Sequence, residues 1–386
     1  MSDPLELARA LMADFAESTG ISGTSVPRRY LWTDAYAVCN FLALWQRSGD
    51  PEYLELARGL VTQVHHCLGQ HRSDDVRSGW ISGMSELQAE AHPTAGGLRI
   101  GKPLPERALH EPQDERTEWD RDGQYFHYLT KWAHALLNMT QATGEASFGR
   151  WAAELMAVAY HRFRALDDPP RLHWKMRIDL STPLVSGSSA HDVVDGAVTC
   201  LALAADDYSN YDETLATTTA ALLRMCDEQR LQTTDPLGLG GLLFDACRLA
   251  RLPARLPITN RESLLRTILE TAVQGLAHFA RSPLMRTPAT ERLAFRELGL
   301  VIGLKGLFLL RDSFAPFPTC GSFLLRLREY DELSSHLLAF WSQPEHRHTA
   351  LWLAHEDINS VMLATGLVPE GVFDGRGLPR PIHRFV

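Results

Sequence analysis

The stretch that decides the fold is FHYLTKWAHALLNM, residues 126–139, in which apolar residues recur at helical spacing. It predicts a helix that is mostly apolar and therefore buried on most sides. A second helix, predicted at 147–165, has one apolar face only and therefore faces water on the other. This pair, an apolar helix followed by an amphipathic helix, recurs along the chain and predicts its architecture.

Six apolar helices are predicted, at about 30–46, 123–142, 191–206, 237–251, 292–311 and 349–365. Six amphipathic helices accompany them, at about 4–17, 51–68, 147–165, 211–229, 261–281 and 323–342. Since no strand pattern of useful length occurs, we expect an all-α protein in which residues 1–386 form a single-domain (α/α)6 toroid of six helical hairpins. The first helix would close the outer layer against the last inner helix. An open solenoid of the same hairpins is the alternative, but the repeats lack the identity typical of solenoids.

Two long connections interrupt the helical pattern. The first, about 71–118, is rich in aromatic residues and glycines, and we expect it to form an ordered flap over the cavity mouth. The second, 167–190, contains Trp174 and a run of small residues, and it is predicted to line the same side.

Composition excludes several classes of partner. The net charge of −9 and the pI near 6.0 disfavour nucleic acid and anionic membranes. No apolar run is long enough for a membrane span, and the first residues lack the order of a signal peptide, so we expect a cytoplasmic protein. The six cysteines are scattered, which favours free thiols over a disulfide framework. No nucleotide-binding or metal motif occurs, and no cofactor is expected.

In a toroid the inner helices share one orientation, so their N-terminal ends meet at one mouth of the barrel. Ionisable residues stand at five of the six predicted starts, among them Asp34, Asp120, Asp122, His191, Asp192, Arg292, His355 and Glu356. Each aspartate could simply cap a helix. The cluster from His355 to Asp357 is predicted inside an apolar helix, where charges persist only when paired or used. Arg292 and Arg296 could supply that pairing, and the cluster would then be a structural ion network.

Aromatic residues accompany these acids, as in sugar-processing clefts, where rings stack on pyranose faces. The candidate substrate-binding residues are Trp32, Tyr36, Trp80, Trp119, Tyr125, His127, Arg292 and the cations Arg99 and Arg121. With Lys102, the last two would bind a uronate or phosphate group.

The helix pattern and these residues resemble the six-hairpin glycosidase-like superfamily, which includes unsaturated glucuronyl hydrolases and, close in fold, N-acylglucosamine epimerase-type sugar isomerases. Trp32-Thr33-Asp34 and Trp119-Asp120 are similar to cleft residues of those enzymes, and His355 is similar to the histidine bases of the epimerases. The resemblance implies a carbohydrate-active enzyme with a small-molecule or oligosaccharide substrate.

Three functional hypotheses follow. The first is a glycoside hydrolase in which Asp120 or Asp122 is the general acid and Asp34 or Asp192 activates water, with Glu356 as a further catalytic candidate. The second is a sugar epimerase or isomerase that uses His191 and His355 as acid and base. The third is a toroid that binds a ligand or partner without turning it over.

Overall fold

The computed structural model describes residues 3–108, 110–167, 170–187, 189–206, 212–226, 231–254, 256, 258 and 260–376. Its twelve long helices are α1 Pro4–Ser18, α2 Leu31–Ser48, α3 Pro51–Leu68, α4 Phe126–Thr143, α5 Ala146–Phe163, α6 Ala190–Ala205, α7 Glu213–Cys226, α8 Pro236–Arg251, α9 Arg261–Phe279, α10 Ala294–Leu309, α11 Asp331–Ser342 and α12 Glu356–Leu367. Shorter α-helical segments occur at Glu86–Ala91, Glu115–Glu118, Gly321–Arg328, Pro344–Arg347, Ala350–Leu353 and Glu370–Phe373. In this part of the chain, no helix combines the length and the apolar composition that a membrane span requires.

The even-numbered helices form a closed inner ring. Each contacts the next in chain order, from α2 through α4, α6, α8 and α10 to α12, and α12 returns to α2. The odd-numbered helices form the outer layer, in which α3, α5, α7, α9 and α11 each contact the inner helix that precedes them, whereas α1 contacts α12. The predicted (α/α)6 toroid, including closure by the first helix, is confirmed.

Burial explains the two layers. Every residue from Leu31 to Leu44 of α2 is buried, because the helix is surrounded by neighbours on all sides. In α3, buried residues such as Ala57, Leu60, Val61 and Val64 recur at helical spacing, which leaves the opposite face to water. The sequence period therefore specifies which layer a helix joins.

Glycines allow the closest approach between inner helices. A Cβ atom on Gly240 of α8 would lie 2.1 Å from the carbonyl oxygen of Gly299 in α10, and one on Gly303 would lie 2.5 Å from the carbonyl oxygen of Gly240. Side chains at these positions would force the two helices apart.

The two long connections are joined to each other. Strands β1 (Gln124–Tyr125) and β2 (Lys175–Met176) pair antiparallel, with Gln124 opposite Met176. The ammonium group of Lys175 is fully buried and donates to the carboxylate and the carbonyl of Glu118, at 2.9 and 2.7 Å. The neighbouring Trp174 is thereby held at the barrel mouth.

Residues after α12 close the other end of the barrel. The carbonyl of Gly371 accepts a hydrogen bond from Asn138 of α4 at 3.1 Å, and that of Gly375 accepts one from Gln46 of α2 at 2.6 Å. Both donors lie near the C-terminal ends of inner helices, so this segment seals the end opposite the mouth.

Candidate active site

A cleft of about 250 Å³ opens at the mouth formed by the N-terminal halves of the inner helices. Its wall includes Trp32 and Tyr36 of α2, His127 and Lys131 of α4, His191, Asp192 and Asp195 of α6, Phe244 and Asp245 of α8, and Trp174 and Ser189 of the second connection. None of the described residues that line it comes from 71–118. The second connection, rather than the predicted flap, supplies the cleft wall outside the inner helices.

Charged groups on three inner helices form a network at the base of the cleft. Asp195 accepts from Lys131 at 2.8 Å and from Arg248 at 3.1 Å, and the hydroxyl of Thr130 also donates to it. The same Arg248 nitrogen lies 3.2 Å from Asp245. All four charged side chains are nearly buried, so they interact through a poorly screened medium.

This network gives its two aspartates different protonation behaviour. Burial, followed by the negative charge of Asp195, raises the pKa of Asp245 to about 7. Burial alone would also raise the pKa of Asp195, but the charges of Lys131 and Arg248 overcome that effect and lower it. Near neutral pH, Asp195 is therefore ionised, whereas Asp245 holds its proton to a much higher pH than an exposed aspartate does.

Asp192 presents a carboxylate oxygen that no group in the described chain satisfies. The residue is only 5% exposed, and its Oδ2 has no hydrogen-bond partner. This oxygen lies 3.5 Å from Nδ1 of His127, which also has no hydrogen-bond partner. Both residues line the cleft, so a water molecule or a ligand hydroxyl there would complete their hydrogen bonds.

Rings form two walls of the cleft. Trp32 and Tyr36 lie with their centroids 4.6 Å apart on one side. On the other, His127 and Trp174 stack at 6.4 Å with an interplanar angle of 14°. Flat faces of this kind suit the apolar faces of sugar rings.

Two polar residues of the mouth serve the fold. Asp235 caps α8 by accepting from the backbone of Gly238 at 2.9 Å, and it forms an ion pair with Arg296 at 2.5 Å. One ring nitrogen of His191 is bonded to the carbonyl of Leu231 at 3.0 Å, although the ring still lines the cleft. His191 is thus present at the mouth but has only one nitrogen available.

Of the predicted site residues, the structure brings five into the cleft: Trp32, Tyr36, His127, His191 and Asp192. Trp119 and Tyr125 stand behind its wall, where their rings lie 5.1 and 5.4 Å from the ring of Trp174. They support the wall rather than line the cavity.

The prediction that Asp122 acts as an acid and Arg99 binds substrate needs correction. The two form a buried ion pair at 2.5 Å, and Arg72 approaches the same carboxylate at 3.5 Å. Because Asp122 is fully buried among these cations and backbone donors, it holds the first connection together and has no access to the cleft.

The other acids and rings predicted for the mouth also lie elsewhere. Asp34 is buried beside Arg29 and accepts from the backbone of Tyr30, so it serves the start of α2. Asp120 is exposed on the surface and does not line the cleft. Arg121 is paired with Glu111, and Trp80 donates to Glu86 at 2.9 Å beside a separate groove on the outer layer.

The cluster from His355 to Asp357 was predicted inside an apolar helix, and this prediction is wrong. The helix Ala350–Leu353 ends early, and α12 begins at Glu356, with His355 as its N-cap. His355 and Glu356 are exposed and do not line the cleft. The argument from buried charge therefore does not apply to them.

The predicted partners of that cluster are engaged elsewhere. Arg292 forms a bidentate pair with Glu297 at 2.8 and 2.6 Å and lies over the ring of Phe340. It is a buried structural cation, not a substrate-binding residue.

Lys131, Asp195, Asp245 and Arg248 were not identified as site residues from the sequence. A signal for them was present in the spacing. Lys131 follows His127 by four residues, Asp195 follows Asp192 by three, and Arg248 follows Asp245 by three, each within an apolar helix. Such spacing places both members of a pair on one helix face.

No group of three or more histidine, cysteine or acidic side chains within the described ranges is arranged to hold a metal ion.

No protein-family model matches the sequence, and no curated protein matches it. Solved structures do resemble the fold. A GH76A alpha-1,6-mannanase from Salegentibacter sp. HEL1_6 is 12% identical over 95% of this chain and 99% of that chain, with a TM-score of 0.56. A family 76 glycoside hydrolase from a bovine Bacteroides thetaiotaomicron strain is 10% identical over 97% of this chain and 78% of that chain, with a TM-score of 0.55. The chain thus shares the six-hairpin (α/α)6 fold of these proteins, as the sequence predicted.

Proposed function

We propose that the protein is a glycoside hydrolase in which Asp245 is the general acid and Asp192 is the second carboxylate of the catalytic pair. The observation that carries the proposal is that one ring-walled cleft holds two carboxyl groups in different environments. One is desolvated and close to another acid, and the other presents an unsatisfied oxygen. Glycosidases need such a pair, with one member protonated and the other ionised.

Asp245 suits the role of the acid because its pKa of about 7 keeps a proton available near neutral pH. In the proposed reaction this proton moves to the glycosidic oxygen as its bond to the sugar carbon breaks. The carboxyl group faces the cleft from the third turn of α8, which places it below a sugar that enters at the mouth.

Asp192 suits the second role because its free oxygen needs a partner that the described protein groups do not supply. A water molecule or a sugar hydroxyl would satisfy it. The stereochemistry of the product distinguishes two roles: inversion means that Asp192 removes a proton from the attacking water, and retention means that it attacks the sugar carbon itself.

Solved neighbours guide the choice of substrates. The Salegentibacter enzyme is an alpha-1,6-mannanase, and an inactive variant of it was solved in complex with alpha-1,6-mannotriose. Manno-oligosaccharides therefore come first in a substrate panel, followed by gluco- and galacto-oligosaccharides. The epimerase hypothesis has weaker support, because His355 lies outside the cleft that contains His191.

The test is hydrolysis of this panel, followed by chromatography, with three variants. Asp245→Asn and Asp192→Asn are each expected to lower kcat/KM by roughly 10²- to 10⁴-fold. Asp120→Asn is the matched control, because this aspartate is exposed and outside the cleft, and its activity should stay within about twofold of the wild type. No hydrolysis of any oligosaccharide, or equal losses in all three variants, would refute the proposal.

A further inference from the structure

Asp195 lies in the cleft beside the two proposed catalytic acids but is itself fully engaged. Its Oδ2 accepts from Lys131 at 2.8 Å and from Thr130, and its Oδ1 accepts from Arg248 at 3.1 Å. Both oxygens are committed to protein donors, and only 6% of the side chain is exposed. It is therefore poorly placed to exchange a proton with a substrate.

The cations are shared unequally between Asp195 and Asp245. Lys131 contacts Asp195, and a single Arg248 nitrogen lies 3.1 Å from Asp195 and 3.2 Å from Asp245. The other terminal nitrogen of Arg248 donates to Thr199 at 3.0 Å, away from Asp245. Asp195 thus has two cationic partners, whereas Asp245 shares one Arg248 nitrogen with Asp195 and has that negatively charged carboxylate as a neighbour.

The other titratable groups around Asp245 do not alter this balance near neutral pH. Tyr36 of α2 and Cys247 of α8 are neutral, because burial raises the pKa of both. On α4, burial followed by the charge of Arg248 keeps the pKa of His134 well below its usual range, so it is neutral too. The field at Asp245 therefore comes from Lys131, Asp195 and Arg248.

We propose that Asp195 is a positioning residue which, by engaging both cations and presenting its own negative charge, makes Asp245 the proton-carrying carboxyl of the cleft. Its assignment to catalysis rests on the proposed function of Asp245 as the acid. The electrostatic part can be measured without any substrate.

Two neighbouring substitutions should act in opposite directions. Asp195→Asn removes a negative charge next to Asp245, so its carboxyl should lose its proton at lower pH. Lys131→Gln removes a positive charge, so the same carboxyl should hold its proton to higher pH. A charge within about 4–6 Å of a carboxyl group shifts its titration by about one to three pH units.

The measurement is a carbon-13 NMR titration of aspartate carboxyl groups in the wild type and the two variants, with Asp245→Asn to assign the resonance. Lys131→Gln leaves Asp195 with Arg248 and Thr130 as partners, so this variant should fold even if Asp195→Asn does not, and its upward shift alone tests the sign. General damage to the fold would move both midpoints the same way. Midpoints that do not move, or that move in the same direction, overturn the inference.

Activity supplies the second readout. If Asp245 is the acid, the alkaline limb of the kcat/KM profile should follow the NMR midpoint in each variant, downward for Asp195→Asn and upward for Lys131→Gln, because the loss of its proton ends activity. Opposite NMR shifts with no hydrolysis in any protein would support the electrostatic role of Asp195 and refute the proposed function of Asp245. Hydrolysis with unchanged NMR midpoints would refute the electrostatic role of Asp195 and leave the proposed function of Asp245 standing.

Discussion

Asp192 and Asp195 lie one helical turn apart on α6, and replacing each by asparagine should change stability in opposite directions. Asp195 neutralises Lys131 and Arg248, so Asp195→Asn leaves two nearly buried cations with too little negative charge. Breaking a buried pair in this way costs about 3–5 kcal/mol. Asp192, by contrast, is buried with an oxygen that has no hydrogen-bond partner, which costs about 1–3 kcal/mol. The amide of an asparagine at this position can instead donate to the unpaired Nδ1 of His127, which lies 3.5 Å from that oxygen.

The expected shifts in melting temperature follow from chain length. An unfolding entropy of about 2.1 cal/mol/K per residue gives roughly 0.8 kcal/mol/K for 386 residues. Asp195→Asn should therefore melt about 4–6 °C below the wild type. For Asp192→Asn, the gain is reduced by about 0.3–1 kcal/mol, because a carboxylate in the first turn is favoured by the helix dipole. A net rise of up to about 3 °C remains.

Differential scanning calorimetry at pH 7.5, without any sugar, measures both variants directly. A stabilising substitution that also abolishes activity is the signature of a group retained for function at a cost in stability. If Asp192→Asn melts as far below the wild type as Asp195→Asn, Asp192 is part of the structural network, and its unsatisfied oxygen is no argument for a ligand.

Three further predictions concern other parts of the chain. Glu297→Ala should lower the melting temperature by about 4–6 °C, because it leaves buried Arg292 without its bidentate partner and Trp341 without a hydrogen-bond acceptor. Calorimetry tests this, and a decrease of less than about 1 °C would contradict it. Gly241→Phe should abolish ligand-induced thermal shifts, because the ring would occupy the cleft that Gly241 lines. The protein should stay folded, since a Cβ at this position meets open space, and Gly241→Ala is the control that should still bind. Asp34→Asn should reduce the pH dependence of stability: burial raises the pKa of Asp34 to about 7, so wild-type folding takes up a proton between about pH 4 and 7, and the free energy of unfolding falls as the pH rises through that window. Denaturant unfolding of both proteins at pH 4, 5.5 and 7 tests this, and the prediction is wrong if their free energies of unfolding change with pH in parallel.

The architecture was predictable because the signal is repeated and one-dimensional. An inner helix such as α2 is buried over every residue from Leu31 to Leu44, and its sequence is mostly apolar, whereas α3 shows a single apolar stripe. The spacing of apolar residues therefore indicates both that a segment is helical and whether the helix belongs to the inner or the outer layer. The contact between α1 and α12 was predictable too, because six inner helices with only five outer helices after them leave the first helix to complete the outer layer beside the last inner helix.

The site was predictable only in part, because chemistry depends on which helix face a residue occupies. His127 and Asp192 could be placed at helix starts, and both reach the cleft. Asp122 also stands at a predicted helix start, but it is paired with Arg99. This pair could not be predicted, because Arg99 lies in a long connection whose path is not specified by any helical period. His355 was misplaced because one helix was predicted where two occur, and that break turned an apparent interior residue into an exposed N-cap.

Closure of the ring by α1, α2 and α12 also has a consequence for how the protein is made. The amide of Asn40 in α2 donates to the carbonyl of Val361 in α12, a partner 321 residues later in the chain. At about 5–20 residues per second, a ribosome needs roughly 16–64 s to synthesise that interval. During this time α2, which is mostly apolar and is buried on all sides in the finished ring, lacks one of its two ring neighbours. Nascent chains of this protein should therefore be substrates for chaperones that bind exposed apolar helices, and the synthesis of α12, rather than helix formation, should set the pace of folding.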